Sequence, residues 1–135
     1  MRILLDANII LTHLTGREDD YTDDVDTIMT KCSNDEIDGY IAFHTLSIVW
    51  YVLGKNFKDS RRDLIANLCE YIQGCGCSHD AVVEAIHNEN FEDFEDNLQD
   101  KCAESINADY IVTANIRDYA SSSVNALTPD EFLNL

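Results

Sequence analysis

Positive charge is what this chain has least of. Nine Lys and Arg stand against 26 Asp and Glu, a formal net charge of −17 over 135 residues. Broad, non-specific binding to nucleic acid depends on basic surface that displaces counterions, and this composition argues against it. A pocket of acids that holds cations, and meets phosphates through them, stays open. Proline occurs once and glycine five times, so the chain does not read as linker-rich or disordered. No run approaches the ~18 apolar residues needed to cross a bilayer. The opening MRILLDANII carries an acid in mid-run and no cationic stretch ahead of an apolar one. A secretory leader is therefore not expected there, and a cytoplasmic location is. A phosphate loop of the G-x-x-x-x-G-K type is missing. So is any Ser-His-Asp or Cys-His set at a workable spacing.

Cysteine is present but uninformative. Cys75 and Cys77 are separated by one residue, not the two or more usual in zinc sites. Cys32, Cys69 and Cys102 fall in apolar helical stripes, where thiols act as small hydrophobes. His44, ahead of an apolar helix, reads as a cap or a hydrogen-bonded core residue rather than a catalyst.

The size predicts one domain over residues 1–135. Arg2 to Leu5 is a short, largely aliphatic run, read as a buried strand that ends at Asp6-Ala7-Asn8. Helices are predicted over 8–14 and 21–33, the second with Tyr21, Val25, Ile28, Met29 and Cys32 on one face. A strand over 40–43 leads into a helix over 44–55 that is apolar nearly all round, a core helix or an oligomer interface. Asp59 or Ser60 caps a helix over 61–72, with Leu64, Ile65, Leu68 and Cys69 inward. A short strand within 74–78 and a helix over 80–87 follow. The helix over 92–106 is amphipathic, with a stripe of Phe91, Phe94, Leu98, Cys102 and Ile106. Strands over 108–113 and 124–127 precede a final helix, with Thr128 as cap, Pro129 at its first position and Glu131 closing a capping box. Strands alternating with helices predict an α/β fold: a three-layer sandwich around a central, mainly parallel sheet.

In such sheets the carboxyl ends of the strands line the ligand crevice. Asp6 either sits at the floor of that crevice or merely caps the following helix. Asp96 lies at the edge of the buried face of its helix, and Asp118 follows the strand that ends at Thr113, with Asn115 between them. Glu95 falls within the apolar stripe, a costly place for an unpaired acid. Carboxylates converging on one pocket repel each other unless a cation lies between them. Oxygen-only ligands select hard ions such as Mg²⁺ or Mn²⁺. A site of that kind activates water and stabilises charge on a phosphodiester.

Three segments resemble the PIN-domain family: LLDANIIL at 4–11, FEDFEDNLQDKCAESINADYIVTANIRDY at 91–119, and ALTPDEFL at 126–133. The resemblance covers nearly the whole chain and includes the VapC-like toxins of toxin–antitoxin pairs. It implies a parallel sheet with the first strand in its centre, and a Mg²⁺- or Mn²⁺-dependent ribonuclease acting on single-stranded RNA. By position, Asp6, Asp96 and Asp118 match the family's first, third and fourth acids. Asn8, Thr113 and Asn115 match its supporting polar residues. The chain departs from the pattern at the second acid, whose place falls on Ile48, and no acid occurs between His44 and Gly54. Glu95 is the candidate to supply that carboxylate. RNA would approach through Lys55, Lys58, Arg61, Arg62 and Arg117. A small antitoxin and a homodimer are the protein partners in this reading.

Two other readings differ in class. One is a degenerate PIN-like domain that binds protein or RNA without cutting, favoured by the absent acid and the charge. The other is a phospho-acceptor receiver domain, which needs an adjacent acid pair after the first strand and a late Lys. Here the pair is interrupted by Ala7, and no Lys follows residue 101.

Overall fold

The computed structural model describes residues 1–135. The elements run β1 (Arg2–Leu5), α1 (Ala7–Thr15), α2 (Thr22–Ser33), β2 (Asp38–Ala42), α3 (Phe43–Leu53), α4 (Arg61–Leu68), β3 (Ile72–Cys75), α5 (His79–His87), α6 (Phe94–Ser105), β4 (Tyr110–Val112), β5 (Ala126–Leu127) and α7 (Pro129–Leu133). A 3₁₀ turn, Ile116–Tyr119, lies between β4 and β5.

The five strands order as β3-β2-β1-β4-β5. Every pairing is parallel, with Leu4 opposite both Tyr40 and Ile111. β1 is central, as the resemblance implied. Successive side chains of a strand face opposite sides of a sheet. Ile3 and Leu5 accordingly join the larger core cluster, beneath α1, α2, α3, α4 and α7. Leu4 joins the smaller one, beneath α6 with Cys102 and Ala103. All three of these β1 side chains are fully buried. One strand thus holds the three layers together, and the α/β fold expected from the alternation is the fold observed. Because β2 and β4 flank β1 on opposite sides, the chain reverses direction across the sheet at β1 and β4. Ligands bind at such a switch point, beyond the carboxyl ends of the strands.

Several expected elements fall differently. α4 ends at Leu68, and β3 occupies Ile72–Cys75 rather than 74–78, because residues 72–75 pair with Gly39 to Ala42 of β2. Cys69 therefore lies past the helix end and is exposed. α3 is not buried all round: Thr45, Val49 and Leu53 face the core, while Phe43 and Tyr51 are 62% and 71% exposed. The largest departure is α6. Phe94 is exposed, and the buried face carries Asn97, Gln99, Asp100, Cys102 and Ala103. These buried side chains make hydrogen bonds, with only the Asn97 Oδ1 left without a partner: Gln99 bonds Asp6, Asn97 donates to the Ala85 carbonyl, and Asp100 accepts from Ser122, Ser123 and Val124. Rotating the helix this way turns Glu95 out of the core and into solvent.

Candidate active site

A polar cleft of about 910 Å³ opens at the carboxyl ends of β1 and β4. Asp6, Asn8, Glu95, Asp96, Asn115 and Asp118 all line it, with only three hydrophobic residues among its fifteen. Asp6 thus lines the same cleft as Asp96 and Asp118, which lie 90 and 112 residues further along the chain. Thr113, fully buried, stands behind them.

Asp6 is 9% exposed and holds the floor. Its Oδ1 accepts the Ala7 N–H at 2.7 Å and the Gln99 amide at 3.2 Å. Its Oδ2 accepts the Thr113 hydroxyl at 2.8 Å and the Tyr119 hydroxyl at 3.0 Å. Asp6 is not a cap alone: Oδ1 caps α1 while the same carboxylate lines the cleft. Gln99 is in turn held by the Thr45 hydroxyl, which donates to its Oε1 at 3.1 Å. Thr45 and Gln99 are each 1% exposed, so this bridge from α3 through α6 to β1 is internal.

Asn8 fixes the other side of the cleft, its Oδ1 accepting the Ala114 N–H at 3.2 Å. The Asn115 N–H donates to Thr113 Oγ1, and the Asn115 amide donates to Asp118 Oδ2 at 3.1 Å. Asp118 itself is exposed on the 3₁₀ turn. Asp93 caps α6 through the Glu95 N–H at 2.9 Å, which sets the first turn bearing Glu95 and Asp96 over the cleft.

Like charges crowd this wall. The Asp96 carboxyl is pushed up to about 7, first by burial and then by the charge of Asp118, with Asp93, Asp6 and Glu95 adding. Glu95 is raised by burial, Asp93 and Asp6. Tyr119 is held far above its usual range by burial and the neighbouring Asp6, so it serves as a neutral donor. His44 is lowered because burial outweighs the pull of Asp6, and its Nε2 is buried without a partner. α3 contributes no side chain to the cleft lining. The position at Ile48 is accordingly not made good from that helix.

The donor set fits a hard divalent ion by chemistry: carboxylates and amides only, with mutual repulsion that a cation relieves. As the side chains stand, no three His, Cys, Asp or Glu are close enough to share one ion. Asp118 and Glu95 are exposed.

Three contributors escaped the sequence reading: Gln99, Tyr119 and Thr45. Gln99 had a usable signal, since it lies one turn beyond Asp96 on the same helix flank. Nothing in the sequence marked Tyr119 or Thr45.

The family model described as "PIN domain" matches residues 2–117. None of the curated proteins compared with the chain matches it. Among solved structures, VapBC2 from Rickettsia felis, bound to a DNA fragment from its promoter, aligns at TM-score 0.68 and 16% identity, over 95% of this chain and 98% of that one. FitAcB from Neisseria gonorrhoeae aligns at 0.64 and 13%, over 94% and 97%. VapC20 from Mycobacterium tuberculosis, described as a toxin cleaving the sarcin-ricin loop, aligns at 0.54 and 13%, over 81% and 86%. At these identities the likeness is one of fold.

Proposed function

The chain belongs to the PIN-domain family, and from that premise we propose that it is a metal-dependent endoribonuclease cleaving single-stranded RNA, the toxin of a toxin–antitoxin pair. The observation that carries this reading is the convergence of Asp6, Asp96 and Asp118 on one polar cleft. In it, residues 1–135 form one functional domain acting in the cytoplasm. No helix is long and apolar enough to cross a membrane.

Asp6, Asp96 and Asp118, with Glu95 on the same wall, are the residues that would hold Mg²⁺ or Mn²⁺. Such an ion, when bound, supplies positive charge at a phosphodiester and acidifies water. The chain's own groups set up the rest. Thr113, Tyr119 and Gln99 aim the Asp6 carboxylate and keep it from swinging. Asn115 does the same for Asp118. Asn8 ties the start of α1 to the chain after β4, keeping the two strand ends in register. Arg17 and Arg117 line the cleft and offer charge to phosphate. Burial and the neighbouring acids push the Asp96 carboxyl up to about 7, so near neutral pH it is divided between its neutral and charged forms.

A small antitoxin is the proposed protein partner, supported by likeness to VapBC2 and FitAcB. For the homodimer, α3 buries Thr45, Val49 and Leu53 in the core and leaves Phe43 and Tyr51 exposed. Val83 and Ile86, on α5, are an exposed apolar pair left for it.

A second reading, a PIN-like binding module without catalysis, is favoured by Ile48 and by the protein donors that already occupy both oxygens of Asp6. Cleavage of single-stranded RNA with Mn²⁺, wild type against Asp6→Asn, decides between them. The ribonuclease reading expects cleavage by the wild type only. Equal activity in both defeats it. Absence of cleavage together with no Mn²⁺-dependent thermal shift selects the binding module.

A further inference from the structure

Four of the nine cationic side chains lie within eight residues, Lys55, Lys58, Arg61 and Arg62, where α3 hands over to α4. Three of them, Lys55, Arg61 and Arg62, lie against two aromatic rings at the end of α3. The Arg61 guanidinium stacks on Trp50 at 3.6 Å, and Arg62 lies 5.0 Å from the same ring. Lys55 lies 5.7 Å from the ring of Tyr51, which is itself 71% exposed.

The state of these charges is unusual for so acidic a chain. Carboxylates outnumber Lys and Arg by almost three to one. Arg17, Lys31 and Lys101 each take an acidic partner. None of the four at the α3–α4 junction does, nor do the isolated Arg2 and Arg117, although Asp59 and Asp63 are close in sequence to the junction. Arg61 is tethered instead by donating to the Trp50 carbonyl at 3.1 Å, and its buried Nε has no partner. An unpaired basic cluster on a chain of charge −17 pays internal repulsion for nothing unless an outside anion neutralises it. Free cations beside an exposed aromatic ring are the pattern that tracks a single-stranded backbone, with phosphates on the cations and a base on the ring.

We propose that the α3–α4 junction is a second contact surface for single-stranded RNA: Lys55, Lys58 and Arg62 bind phosphates, Arg61 rigidifies the platform, and Tyr51 stacks a base. This rests on the ribonuclease reading and adds to it a separate binding surface. α3 links that surface to the cleft, since Thr45 near its start reaches Asp6 through Gln99. Tyr51 lies six residues on, about 9 Å along the helix axis. A long strand then engages both places, and a very short one only the cleft.

The probe is a fluorescein-labelled, unstructured 15-nucleotide RNA, titrated in EDTA at several salt concentrations. Wild type is compared with a triple variant, Lys55→Gln, Lys58→Gln and Arg62→Gln, all at exposed positions, with circular dichroism as the check on folding. Affinity is expected to fall tenfold or more. The slope of log K against log salt should shrink by about 2, from ~0.7 per lost phosphate contact. Tyr51→Ala should weaken binding with the slope unchanged. Unchanged affinity and slope in a folded triple variant overturn the proposal while leaving the ribonuclease reading standing. A variant that keeps RNA affinity but loses dimer mass by light scattering makes this surface an interface between copies, and also overturns it. A wild type that neither binds nor cleaves RNA removes both readings together.

Discussion

Asp96→Asn should make the metal-free protein more stable at pH 8 and cost it metal binding. The carboxyl of Asp96 rises from an ordinary 3.8 to about 7, through burial and the charges of Asp118, Asp93, Asp6 and Glu95. A raised acid is favourable to folding while it is protonated. That contribution is complete below about pH 4 and is lost as pH climbs through about 7. Fully realised, the shift corresponds to about 4 kcal/mol at pH 8. Asp96 is only half-buried, and solvent screening reduces this to about 1–2 kcal/mol. Asparagine has nearly the same shape and no charge, so it removes the penalty. For a chain of this size the gain is about 4–8 °C in Tm at pH 8. The gap between wild type and variant opens as pH rises from about 4 to about 7, so it should be clearly smaller at pH 5 than at pH 8 and close only below about pH 4. Thermal melts of both proteins in EDTA at pH 5 and pH 8 read this directly. Added Mn²⁺ should stabilise wild type at pH 8 more than the variant. A variant that melts at or below wild type at pH 8, or a gap that ignores pH, refutes the charge-crowding argument.

Three further outcomes follow from the geometry. Gln99→Leu strips a donor from Asp6 and an acceptor from Thr45, both in buried surroundings, and should cost about 2–4 kcal/mol in denaturant unfolding while weakening Mn²⁺ binding. Tyr119→Phe removes only the hydroxyl on Asp6 Oδ2, so calorimetric titration should show weaker Mn²⁺ affinity with a stability loss of about 1–2 kcal/mol. Glu95→Gln, on an exposed side chain, should leave the Tm near wild type yet reduce Mn²⁺ affinity; unchanged affinity would remove Glu95 from the ligand set.

The framework of the site was legible early because its signals are local. A four-residue aliphatic strand running into Asp6, and β4 running into Thr113 and then Asp118, declare strand ends, and strand ends of a parallel sheet meet at one edge. Asp96 was placed because one helical turn suffices to locate it at the margin of a buried face. The same method misjudged α6 as a whole. Its stripe took in Phe94 and Glu95 and left out Gln99 and Asp100, since periodicity counts apolar residues and buries nothing polar. Polar side chains are buried when a partner waits for them, and those partners are remote: Gln99 lies 93 residues from Asp6, Thr113 lies 107 and Tyr119 lies 113.

By itself, the sequence determined the alternation of strands and helices, the burial of β1 through its aliphatic run, and three acids at the ends of elements that share an edge. Those follow from side-chain periodicity and the acids' neighbours in the chain. Only the tertiary structure decided which face of α6 turns inward, that Thr45, Gln99 and Tyr119 hold Asp6, and that four cations at the α3–α4 junction go without carboxylate partners. Each of these depends on how distant segments meet, because a hydrogen bond or an ion pair is a property of two positions in space rather than of either residue.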